Sequence, residues 1–276
     1  MKKMAIAGSF ILAGLMVNAQ EHQLVKKWET DTLLKTPESA LYVEAEKLLY
    51  VSNIDGQPWE KDGKGSVGKV GLDGKIIQVD WVKGLEAPKG LGLYKNKLYV
   101  ADVDKVAVID TKKAAIVQTI PVEGAKGLND ITVDPKNGVV YVSDSKMKKI
   151  HRIENGKVTT LLDNLKGPNG VLIYGDDLYI LDAGGLYKVE KDKSLTKLAD
   201  GMESSTDGVE HVTGKDFIVS CWEGSIWYVK GDGTKEHLLD TRAQHINTAD
   251  IGYDAKNRIL YVPTFFKNKI VAYELK

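Results

Sequence analysis

Four residues with oxygen-donor side chains stand out in this 276-residue chain because they recur at matching places in a repeat. They are Glu38, Asn129, Asn169 and Asp207, and the two remaining repeats have Lys89 and Ala249 at the same place. Two carboxylates and two carboxamides brought to one point would do recognisable chemistry. Carboxylates alone would repel and raise each other's pKa, and a divalent cation resolves that repulsion. All the donors are hard oxygens, with no His or Cys among them. This favours calcium, magnesium or manganese over zinc or copper, with calcium first because it tolerates irregular geometry and mixed ligands. The plainer reading is a set of polar residues that bond water at a channel mouth.

The elements needed to bring such residues together are legible in the repeat. Segments opening at Glu38, Lys89, Asn129, Asn169, Asp207 and Ala249 each continue as a short strand, and subtraction gives spacings of 51, 40, 40, 38 and 42 residues. A strand-built repeat of roughly 40 residues is the propeller period. Second strands follow at 48–52, 97–101, 139–143, 177–181, 216–220 and 259–263, five of them carrying a tyrosine: Tyr50, Tyr99, Tyr141, Tyr179 and Tyr261. Third strands are followed by turn pairs such as Asp73-Gly74, Asn155-Gly156 and Asp232-Gly233, and Gly and Asn accept positive φ there. The last repeat has only three strands, while a spare strand at 23–30 stands near the other end. The expected fold is an all-β, six-bladed β-propeller of four-stranded blades, with the ring closed between the N-terminal strand and the last blade. Closure of that kind removes exposed sheet edges. The innermost strand of each blade then lines the channel, and the six opening residues converge at one end.

Residues 1–19 are read as a secretory signal peptide, and 20–276 as the single propeller domain. Lys2 and Lys3 precede an apolar run from Ala5 to Val17, and Val17-Asn18-Ala19 offers a cleavage site. The expected location is periplasmic or secreted. Lys+Arg and Asp+Glu both number 38, so neither a nucleic-acid nor a membrane-surface partner is expected. The one cysteine, Cys221, allows no internal disulfide and reads as a small buried hydrophobe.

The ring resembles that of the regucalcin/gluconolactonase-like propellers, which are related more distantly to diisopropylfluorophosphatase and paraoxonase. The resemblance lies in Glu38-Ser39-Ala40-Leu41-Tyr42, Leu128-Asn129-Asp130, Pro168-Asn169-Gly170, and Asp207-Gly208 through Cys221-Trp222-Glu223-Gly224. It covers nearly all of the mature chain. It implies one divalent metal held by Glu38, Asn169 and Asp207, with Asn129 as a fourth ligand or acting through water. It further implies hydrolysis of a lactone or related ester, a small-molecule substrate, and Asp207 as the catalytic base or nucleophile. Where the family often has an Arg before the third-blade Asn, this chain has Gly127-Leu128, with Lys126 nearby. Lys89 stands where paraoxonase-like enzymes place a His.

Lys89 has two readings: it contacts the substrate carboxylate or a developing oxyanion, or it pairs with Glu38 or Asp207 and weakens metal binding. The long loop 53–68 carries Pro58-Trp59, with Trp59 read as a lid or ligand wall, or as packing on the blade edge. His245, in the connection entering the sixth blade, is a candidate substrate residue, whereas His211 reads as structural. His22, His151 and His237 are read as surface. Asp102, Asp144 and Asp182 close second strands, either orienting the ring or as solvated strand ends. The rival function is a non-catalytic, NHL-like binding propeller whose metal is structural or absent, which leaves a protein partner open.

Overall fold

A computed structural model describes residues 21–276; the segment read as a signal peptide lies outside the described residues. Six four-stranded antiparallel sheets are arranged as blades, each running from an inner to an outer strand. The inner strands of blades 1 to 5 are Pro37–Val43, Pro88–Tyr94, Leu128–Val133, Pro168–Tyr174 and Thr206–Thr213. Blade 6 has the short inner strand Gly252–Asp254. Its outer strand is Leu24–Glu29 from the N-terminal end, which pairs antiparallel with Ile270–Leu275, as the spare strand predicts. Trp28, just past a bulge in that strand, lies against Tyr261 with ring centroids 5.8 Å apart. Among the described residues, no helix is long and apolar enough to cross a membrane.

The core is divided among the blade interfaces. One apolar cluster joins blades 1 and 2 through Tyr50, Val67, Leu91 and Leu98, and another joins blades 5 and 6 through Ile218, Tyr228, Ile251 and Leu260. Second strands such as Leu48–Asn53 are buried on both faces between neighbouring blades. The repeated tyrosines of the second strands belong to this packing: Tyr50 and Tyr261 are fully buried, and Tyr99, Tyr141 and Tyr179 pack at the margins of clusters.

The inner strands of blades 1 to 5 share one irregularity. Their register with the second strand shifts between Pro37 and Ala40, Pro88 and Leu91, Leu128 and Ile131, Pro168 and Val171, and Thr206 and Val209. Each shift is a β-bulge that spans a ring residue and the residue after it, and bulges re-aim side chains. A serine on the second strand takes up the displaced N–H in three blades: Ser52 accepts from Ser39, Ser143 from Asp130, and Ser220 from Gly208, at 2.9–3.0 Å. Near the axis the backbones crowd. A Cβ on Gly170 would sit 2.5 Å from the Asp207 carbonyl oxygen, so only glycine fits there.

Candidate functional site

The bulges bring Glu38, Lys89 and Asp207 into the buried mouth of the channel, with Asn129 also buried and Asn169 half-buried. The Lys89 Nζ lies 3.8 Å from Glu38 Oε1. Asn169 donates its Nδ2 to Asp207 Oδ1 at 2.8 Å, and Asn129 donates its Nδ2 to Ser145 Oγ at 3.1 Å. Two buried oxygens of the ring, Glu38 Oε2 and Asn169 Oδ1, have no hydrogen-bond partner. Ala249, the sixth position, is buried among Ile54, Ala87, Val103 and Phe265.

Burial dominates the electrostatics. Loss of solvation pushes the Glu38 carboxyl up to about 8, against the pull of the Lys89 ammonium and with a push from Asp250. Asp207 is raised well above the usual carboxylate range by burial, then by Glu38 and Asp250. Desolvation lowers Lys89, and the attraction of Glu38 and Asp207 offsets only part of this. A second layer lies beside the ring. Ser39 Oγ donates to Asp250 Oδ2 at 2.6 Å, and the backbone N–H groups of Ile131 and Val171 both donate to Asp130 at 2.6 Å. Burial raises Asp130 strongly and brings Asp250 up to about 7. Glu210, on the inner strand of blade 5, is pushed up to about 8 by desolvation and then by Asp250.

The strand-end aspartates tie down the connections that lead into the ring. Asp102 accepts from the N–H groups of Glu86 and Ala87, Asp144 from Lys126, Gly127 and Met147, and Asp182 from Lys166 and Gly167, at 2.6–3.2 Å. All three side chains are buried, which decides against solvated strand ends. Burial pushes Asp144 up, but the nearby His151 imidazole and the hydrogen bonds of the Met147 and Lys126 backbone N–H groups outweigh it and hold its carboxyl low. Asp144→Ala leaves three backbone donors without their acceptor, two of them on the segment leading into Asn129. At about 1–3 kcal/mol for each donor that stays buried, a loss of about 3 kcal/mol is expected in urea denaturation. A loss under about 1 kcal/mol would show that water replaces the clamp.

Trp59 is placed over the mouth. The Lys89 Nζ stands 4.3 Å from its ring centroid and that of Lys146 4.6 Å, and the loop is fastened by Lys61 to Asp104 and by the Gly63 N–H to Glu86. Trp59 is thus tied to the ring through Lys89. His245 is not drawn into the ring: it is exposed, closes a short 3-10 turn at φ 52°, and shares no hydrogen bond with the ring residues. His211 is structural, stacked on Tyr174 with centroids 3.5 Å apart.

The surface reading of His151 needs correction. It is buried on the third strand of blade 3 with its Nε2 3.9 Å from Asp144. His22 and His237 are half-buried, stacked on Tyr228 and Trp227. Cys221 is fully buried, and desolvation raises its thiol. Asp130, Asp250 and Glu210 were not singled out from the sequence. The second column of the repeat alignment (Ser39, Gly90, Asp130, Gly170, Gly208, Asp250) held the signal for the first two.

The sequence matches no protein-family model and no curated protein. Solved structures do share the fold. A gluconolactonase from Xanthomonas campestris aligns with a TM-score of 0.68 at 14% identity, over 88% of this chain and 87% of that one. A streptogramin B lyase aligns at 0.66 and 10%, over 92% and 97% of the two chains. A chain of a nidogen/laminin complex aligns at 0.65 and 17%, over 79% and 84%. At these identities the likeness establishes the propeller fold, in agreement with the fold expected from the repeat.

Proposed function

We propose that the chain is an exported, metal-dependent hydrolase of a lactone or related ester, with one divalent cation, calcium first, at the ring. The observation that carries this reading is the pair of buried, unpartnered oxygens on Glu38 and Asn169, in a mouth that also holds the Asp207 carboxyl. Buried polar atoms are ordinarily satisfied, and hard oxygens left open suit a hard cation. Glu38, Asn169 and Asp207 would hold the ion, with Asn129 assisting. When bound, the cation supplies Lewis-acid polarisation of a carbonyl. Asp207, as the ionised carboxylate, would take the proton of the attacking water. Water adds to the carbonyl carbon, the ring C–O bond breaks, and the proton ends on the departing alkoxide. Lys89 lies where its ammonium can oppose charge developing on the carbonyl oxygen. The gluconolactonase fold likeness supports this direction, and the apolar run before Gln20 supports export.

Calorimetric titration with calcium, magnesium and manganese is the test, run beside a Glu38→Gln/Asp207→Asn double variant and followed by a lactone panel. Tight binding that the variant loses, with turnover abolished by chelator, is expected. Hydrolysis indifferent to chelator would sink the proposal. The second reading, a binding propeller without catalysis, draws on the Lys89 ammonium 3.8 Å from Glu38, which gives the ring an internal cation of its own. With its metal absent it predicts no binding of any of the three ions, and with its metal structural it predicts ion binding without hydrolysis of any lactone.

A further inference from the structure

The topology places two sets of connections at the ring end of the channel: those entering each inner strand, and those joining second to third strands. Their side chains are unevenly distributed. Lys126 and Lys166 occupy the same place in two repeats, Lys126-Gly127-Leu128-Asn129 and Lys166-Gly167-Pro168-Asn169, and their backbone N–H groups are held by Asp144 and Asp182. Lys146 stands on the second-to-third-strand connection of blade 3. All three are exposed, and among the described residues none of their ammonium groups makes an ion pair. Glu123 and Asp163 share these connections but come within ion-pair distance of none of them. The chain as a whole carries equal numbers of acidic and basic residues, so this rim is a local asymmetry and not the overflow of a basic protein.

Blades 5 and 6 add an aromatic patch at the same end, flanked by the exposed Glu223 and Lys267. Trp222 meets Phe265 edge to face at 5.5 Å and Phe266 at 6.1 Å, and the two phenylalanines lie 4.7 Å apart. Phe265 belongs to the cluster around Ala249, the apolar sixth position of the ring. Its backbone lies at φ 48°, where an aromatic residue is rarely found, and strain of this kind collects at functional sites. Phe266 remains 58% exposed. Trp59 cannot substitute for this wall, because two ammonium groups already lie over its ring.

We propose that the mouth binds a small amphiphilic anion, its acidic group on the lysines of blades 3 and 4 and its apolar or aromatic body against Trp222 and Phe266. As a statement about substrate it rests on the hydrolase reading: the lactone or ester carries a fixed negative charge and an apolar part. An unpaired basic rim concentrates such an ion at the mouth, and the aromatic wall orients it.

The test is binding of 2-naphthoate, with neutral 2-naphthamide and acetate as controls, followed by tryptophan fluorescence with calcium and again with chelator. The expected result is that naphthoate binds about tenfold or more tightly than either control, because it alone uses both sectors. Lys146→Gln/Lys166→Gln should weaken naphthoate about tenfold, leave naphthamide unchanged and flatten the salt dependence. Phe266→Ser should weaken both aromatic probes. All these positions are exposed, so an unchanged melting temperature shows that the fold survives. Equal affinity for naphthoate and naphthamide, absence of naphthoate binding, or indifference to the lysine substitutions would overturn the proposal. Naphthoate binding without hydrolysis of any lactone would retire the hydrolase reading and leave this one standing. Hydrolysis of small neutral lactones without naphthoate binding would do the reverse.

Discussion

Replacing Lys89 with Met lowers the melting temperature of the calcium-free protein and tightens its affinity for calcium. Lys89 is the buried cation beside Glu38, and the Asp207 carboxyl also draws on its charge. Removing one member of a buried charge pair costs about 3–5 kcal/mol when the other stays charged. Glu38, pushed up to about 8, already holds its proton for most of the time near neutral pH, which relieves most of that, so a loss of about 1 kcal/mol is the expected balance. Calcium feels the opposite effect. An ammonium within the ring would oppose a divalent ion held there by several kcal/mol even at an effective dielectric of about 20, so affinity should rise about 100-fold or more. Calorimetry on Lys89→Met, with melting curves at increasing calcium, measures both effects. If the variant binds calcium no better than the parent, the ammonium does not compete with a cation at the ring. If turnover also falls while calcium binding improves, Lys89 contacts the reacting substrate.

Without calcium, the protein should be more stable at pH 5 than at pH 8. Glu38 and Glu210 are each pushed up to about 8 and Asp250 up to about 7, all chiefly by burial, from ordinary values near 4. Between those limits the folded chain keeps protons that the unfolded chain has released. Stability therefore falls as pH rises through that window, by up to about 1.4 kcal/mol per unit for each group. Lys89 acts oppositely, but only above its own lowered value. Glu236, held down to about 2, is ionised in both states across the window and adds nothing. A melting temperature lower at pH 8 by about 5 °C or more is expected, and saturating calcium should remove the share that Glu38 contributes by favouring its ionised form. Melting that is flat between pH 5 and 8 would mean that water reaches these carboxyls.

Much of this was legible in the residues. The period near 40 fixed the blades, and the spare strand at 23–30 fixed the closure. The first column of the repeat located the mouth. The second column went unread for a physical reason. In a regular strand adjacent side chains face opposite ways, so Asp130 should turn from the axis if Asn129 turns towards it. The bulge breaks that alternation, and Asp130 instead bonds the neighbouring inner strand at Val171. Nothing in the local sequence of Leu128–Val133 announces a bulge. His151 was misjudged because it was placed on an outer strand, whereas it lies on the third strand of its blade, buried beside Asp144 of the preceding strand. The pairing of lysines with Trp59 depends on how a long loop folds over its neighbours, which periodicity does not encode.

The joining of Leu24–Glu29 to Ile270–Leu275 sets an order of events for the molecule's making. The strand that completes blade 6 is synthesised first, and its partner last. Blades 1 to 5 can form as local hairpins while the chain lengthens, since their strands are neighbours in sequence. The ring cannot close until both ends exist, and this longest-range pairing is the slowest kind to form. The Asp250 N–H reaches the Glu38 carbonyl only when blade 6 meets blade 1. A chain whose ring is still open thus carries Glu38 and Asp207 apart, solvated and ionised, and the buried mouth forms only at the moment the circle shuts.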